Sequence, residues 1–84
     1  MNLNKLYTFE FLTYCEKHGF FLMRKNCKTK MQNWLGITHS QLDALIDQCL
    51  AKGFITLAEH KPPYRIEITL IGREIISKGL ERGQ

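Results

Sequence analysis

The stretch Gly36–Gly53, GITHSQLDALIDQCLAKG, carries the reading of the whole chain. Thr38 is a favoured helix N-cap. Gln41, three residues on, completes a capping box in which each side chain accepts from the other residue's backbone N–H. Leu42, Leu45, Ile46, Cys49 and Leu50 then follow at the i, i+3, i+4, i+7, i+8 spacing of one buried helical stripe. Gly53 stands where a helix ends in the left-handed region, and Lys52 puts a cation in the last turn, where the helix dipole favours it. The spacing predicts a turn and then one amphipathic helix.

Immediately upstream, Asn26–Leu35 places Cys27, Met31, Trp34 and Leu35 at i, i+4, i+7 and i+8, with Asn26 as the expected cap. Two such helices joined through Gly36 make a helix-turn-helix, although any two helices of a small bundle share the pattern. Trp34, Met31 and Cys27 are expected to face Leu45 and Cys49 in the core.

Residues 3–18 read as a helix ended by Gly19, with Leu3, Leu6, Tyr7, Phe11, Tyr14 and Cys15 on one stripe. Phe9 and Leu12 lie off that stripe, so this helix is apolar on more than one side. Its second cover is either the rest of its own domain or a partner subunit. FFLMR at 20–24 fits a brief strand or an extended linker.

After Gly53 the period changes. Residues 54–58 and 64–69 are β-branched and aromatic runs, and in the second Tyr64, Ile66 and Ile68 alternate with Arg65, Glu67 and Thr69. Glu59-His60-Lys61-Pro62-Pro63 cannot join a ladder, so it is the loop of a hairpin. Thr69 caps a last helix with Leu70, Ile71, Ile75, Ile76 and Leu80 apolar. Lys78 and Arg82 fall in its final turns, and Gly79 and Gly83 suggest fraying. The chain shows no internal repeat, low-complexity segment or linker.

This order of elements resembles the winged helix-turn-helix domain of prokaryotic and viral transcription regulators. Two local motifs add to the resemblance. The helix matching the family's recognition helix runs into Leu50-Ala51-Lys52-Gly53-Phe54-Ile55, and the strand matching its second wing strand reads Tyr64-Arg65-Ile66-Glu67-Ile68-Thr69 before Leu70-Ile71-Gly72. The resemblance spans about residues 3–82. It implies an α+β fold with a three-helix core, a β-hairpin wing and a C-terminal helix, as a single domain over residues 1–84. It also implies binding of double-stranded DNA, usually as a dimer.

Composition bounds the function. The 84 residues suit one domain, and the net charge of +4 is modest. Arg24, Lys25, Lys28 and Lys30 form a basic cluster without an acid, which suits a polyanion. Residues 31–50 carry only Asp43 and Asp47. With no apolar run of about 18 residues, no membrane span is expected. The first residues, MNLNKLYTFEF, show early charge and no cleavage pattern, so a cytoplasmic protein is expected. Cys15, Cys27 and Cys49 are odd in number and widely spaced, which fits neither a disulfide framework nor a zinc site. Each falls on an apolar stripe and reads as a reduced core residue.

Catalysis is disfavoured. His18, His39 and His60 lie near helix ends or in loops, without a cysteine or carboxylate at nucleophile or metal-ligand spacing, and the glycines are dispersed. No catalytic residue, cofactor or metal is therefore expected. The expected function is sequence-specific binding of double-stranded DNA by a small transcription regulator. In the resembled geometry the recognition helix, residues 39–52, enters the major groove, and the wing, residues 58–65, meets the backbone or the minor groove.

The candidate DNA contacts follow from side-chain chemistry. Thr38, His39, Ser40 and Gln41 stand at the head of the helix. Ala44 and Gln48 continue the face opposite Leu42, Ile46 and Cys49. A glutamine can bond bidentately to adenine, a serine to several bases, and the Ala44 methyl can touch a thymine methyl. Lys28 and Lys30 would meet phosphates, as would His60, Lys61 and Arg65 in and beside the wing. Asp43 and Asp47 count against this reading, since a carboxylate repels phosphate. The alternative is a winged-helix protein-interaction module without DNA binding. A chain this short buries only roughly 60–65 % of its unfolded surface. A homodimer through residues 3–15 and the last helix is therefore expected, reading two half-sites.

Overall fold

The computed structural model describes residues 3–82, with side chains described for residues 6–78. The expectations placed on Leu3, Leu80, Arg82 and Gly83 lie outside the described residues or side chains. In chain order the elements are α1 (Leu3–His18), β1 (Phe21–Leu22), α2 (Lys25–Leu35), α3 (His39–Ala51), β2 (Ile55–Glu59), β3 (Arg65–Ile68) and α4 (Leu70–Arg82). The strands form one antiparallel sheet in the order β1-β3-β2. Ile66 in the central strand lies opposite Phe21 on one side and Leu57 on the other, and the ladder is interrupted between Leu57 and Glu59. The result is a small α+β fold of four helices and a three-stranded sheet among the described residues.

The helix ends are set by local chemistry. The capping box forms: Thr38 N donates to Gln41 Oε1 at 2.8 Å, and Gln41 N donates to Thr38 Oγ1 at 3.1 Å. Gly36 takes a φ of 72°, a left-handed conformation that costs glycine no β-carbon clash. That bend lets the N–H groups of Gly36 and Ile37 both donate to Gln32 O, at 2.7 and 3.1 Å. At the far end of α3, Phe54 N donates to Cys49 O and Gly53 N to Leu50 O, the paired bonds of a Schellman motif.

Asn26 does not cap α2. Met23 N donates to Tyr64 O at 2.8 Å, which holds the chain extended against the neighbouring strand as far as Arg24. The helix therefore starts at Lys25, with Arg24 at the cap position making no side-chain bond, and Asn26 falls inside the first turn.

The core gathers Phe11, Leu12, Cys15, Phe21, Met31, Leu42, Ile46, Cys49, Ile55 and Ile66, all almost wholly buried. The two-sided apolarity of α1 has its explanation here. That helix packs against α2, α3, α4 and β3, so Leu12, off the main stripe, is as buried as Phe11. The second side is covered by the chain itself. Trp34 corrects the sequence reading, because it is 54 % exposed. At 100° per residue it lies about 60° around the helix from Met31, at the margin of the stripe. Met31 occupies the core instead, and the Trp34 indole lies against Tyr14 with ring centroids 6.0 Å apart.

One joint fixes the hairpin to the helices on either side. Thr69 Oγ1 donates to Gly53 O at 2.5 Å and Thr69 N to Phe54 O at 3.0 Å, tying the end of α3 to the start of α4. Thr69 also caps α4 as expected, its hydroxyl accepting from Gly72 N at 3.1 Å.

Candidate nucleic-acid interface

The buried stripe of α3, Leu42, Leu45, Ile46 and Cys49, leaves the opposite face bare. Ser40, Gln41, Ala44, Asp47, Gln48 and Ala51 are all exposed. These side chains are small or carry amides, apart from Asp47. Gln41, Ala44 and Gln48 stand together beside Tyr7 of α1, where the two helices form a shallow depression floored by Ile37 and Leu45. The structure thus brings most of the proposed reading residues onto one accessible surface. It also commits two of them elsewhere. Thr38 and Gln41 hold each other in the capping box, which fixes the Gln41 side chain and takes one of its two acceptor lone pairs.

The most consequential departure concerns Asp43. Its Oδ1 lies 2.7 Å from Lys28 Nζ, and its Oδ2 lies 3.1 Å from His39 Nε2. The acid that counts against phosphate contact bridges α2 and α3, and the lysine expected to meet phosphate is held against it. Lys28 keeps only 16 % of its side chain exposed, against 43 % for Asp43. Beside Lys28 and His39, the two partners of Asp43, runs an open groove lined by Lys25, Lys28, Thr29, Gln32 and His39. Lys25, Thr29 and Gln32 were missed as a site. Their signal was the i, i+4, i+7 polar stripe of α2, complementary to its apolar one. Lys30 is exposed but does not line this groove.

In the hairpin loop His60 and Lys61 are exposed. Arg65 is not free: its Nε lies 3.3 Å from Glu67 Oε2, and its guanidinium sits 4.5 Å from the centroid of the Phe20 ring. The stacking and the ion pair lower its availability to a phosphate.

Nucleophilic chemistry finds no support in the cysteines. Burial pushes the Cys15 thiol up to about 12 and the Cys49 thiol up to about 11, so neither is a thiolate near neutral pH. Among the described residues no group of three or more His, Cys, Asp or Glu side chains could hold a metal ion, and no helix is long and apolar enough to cross a membrane. No family model, curated protein or solved structure matches this chain.

Proposed function

We propose that the chain is a winged helix-turn-helix protein that binds double-stranded DNA sequence-specifically, as a small cytoplasmic transcription regulator. The observation that carries this reading is the bare outer face of α3. It offers Ser40, Ala44 and Gln48 without a bulky side chain to keep a base edge away. A helix of this length, about 20 Å, fits the major groove. Ser40 and Gln48 then supply hydrogen bonds and Ala44 an apolar contact. Lys25 and Lys30 from α2, and His60 and Lys61 from the wing, supply phosphate contacts that position without specifying. Two copies pair through α1 and α4, where Leu6, Leu70 and Ile71 remain exposed.

Fluorescence anisotropy on random-sequence duplex across a salt series tests the reading. Wild type should bind with log Kobs falling linearly in log salt, and Lys61→Ala should flatten that slope by about one. No binding at low salt would reject it.

A second reading, a protein-interaction module, is favoured by the exposed Trp34 beside Tyr14 and by the internal pairing of Lys28 and Arg65. A partner peptide that shifts Trp34 fluorescence, with no binding to duplex, would establish it.

A further inference from the structure

The Lys28–Asp43–His39 cluster lies at the head of the proposed reading helix, and neither side of it behaves as an isolated surface charge. Asp43 presents two oxygens to two different donors on two helices, at the charge-assisted distance of 2.7 Å for Lys28 and at 3.1 Å for His39. A phosphodiester offers the same pair of anionic oxygens to the same donors. The groove beside it, with Lys25, Thr29 and Gln32 along one wall, is open to the outside. The Asp43 side chain keeps 43 % of its surface exposed and the Lys28 side chain 16 %, so the acid is the more accessible partner of the pair.

We propose that Asp43 is a resident anion in a phosphodiester-binding cradle formed by Lys25, Lys28 and His39, masking that cradle from DNA. The proposal rests on the DNA-binding reading of α3 and adds its regulation: the chain carries its own competitor for one phosphate contact. With histidine neutral, Lys28 and Asp43 cancel, and Lys25 alone remains to attract a backbone phosphate. Non-specific affinity is held down locally, while the pair adds nothing to the net charge of +4.

Masking is distinct from simple repulsion through space. Repulsion would make Asp43 and Asp47 act alike, and neither would change what Lys28 contributes. Masking couples Asp43 to Lys28 specifically. Asp47 has no ion pair among the described residues and serves as the control.

The experiment is a double-mutant cycle read by anisotropy on random-sequence duplex, with wild type, Asp43→Asn, Lys28→Ala, the combination, and Asp47→Asn with and without Lys28→Ala. Asp43→Ser repeats the first substitution with a side chain of different shape, and thermal unfolding confirms that each variant folds. Unmasking adds one phosphate contact, so Asp43→Asn should steepen the salt slope by about 0.9. That is about an eightfold gain in affinity at 0.1 M salt, the factor 0.1 raised to −0.9. Lys28→Ala should leave the salt slope nearly unchanged in wild type and in Asp47→Asn, where it lowers affinity only through the uncovered Asp43 carboxylate, and should remove the added slope in Asp43→Asn. If wild type binds duplex but Asp43→Asn binds no tighter, or Lys28→Ala flattens the salt slope equally in every background, masking is overturned and the DNA reading stands. If neither wild type nor Asp43→Asn binds duplex at low salt, both fall.

Discussion

The α-carbon of Gly72 packs against the carbonyl oxygen of Phe54 so closely that a β-carbon at position 72 would run into it. That carbonyl already accepts from Thr69 N, and the Gly53 carbonyl next to it accepts from Thr69 Oγ1. Neither backbone can retreat without breaking the joint between α3, the hairpin and α4. Gly72→Ala should therefore destabilise the protein by about 2–3 kcal/mol, despite alanine's better helix propensity. Urea denaturation checks this, and an unchanged or raised midpoint would show that the joint yields.

Gln41 caps α3, and under the proposed DNA reading it would also meet a base; substitutions can separate the two. Its oxygen accepts from Thr38 N, while the side chain is exposed on α3. Glutamate keeps the capping acceptor and loses the amide donor. Gln41→Glu should hold the wild-type melting temperature while relaxing base discrimination in a random-sequence selection. Gln41→Ala should lose both, with about 0.5–1 kcal/mol from the missing cap. Undiminished discrimination in both variants would remove Gln41 from the reading residues and leave it as a cap.

Trp34 and Phe11 make a paired test of where the core lies. Trp34 is over half exposed and touches Tyr14, so Trp34→Ala should cost only about 1 kcal/mol, the worth of an aromatic contact. Phe11 is wholly buried, edge-on to Phe21 at 5.4 Å, and Phe11→Ala should cost about 3–5 kcal/mol. Iodide should quench the native Trp34 emission readily. Resistance to iodide together with a large cost for Trp34→Ala would place the indole back in the core.

The buried thiols predict an alkaline limit to stability. Cys15 and Cys49 ionise ordinarily at 9.0, but burial raises them to about 12 and about 11 in the folded chain. Above pH 9 the unfolded chain releases these protons while the folded chain keeps them. The unfolded state then binds fewer protons, and stability falls as pH rises. The two groups should leave stability unchanged below about pH 9 and erode it from there towards pH 11–12. Replacing both with Ala should flatten the profile in that window. At pH 8 a thiol reagent should modify half-buried Cys27 well before the other two.

The sequence by itself determined the features that short-range chemistry controls. The order of elements, the capping box of Thr38 and Gln41, the turn at Gly36, the left-handed Gly53, the hairpin and the Thr69 cap each depend on residues within a few positions of one another. The buried stripe of α3 was legible for the same reason, since one helical period fixes it. What the tertiary structure alone decided was which neighbour covers or pairs with a side chain. Leu12 is buried because α1 is surrounded by three helices and β3, and Trp34 is exposed because α2 turns Met31 inward instead. Arg65 stacks on Phe20, 45 residues away, only because β1 pairs with β3. Asp43 meets Lys28 only because α2 and α3 fold against each other. A linear pattern records the charge of each side chain. Whether that charge remains available depends on the partner that folding brings within about 3 Å.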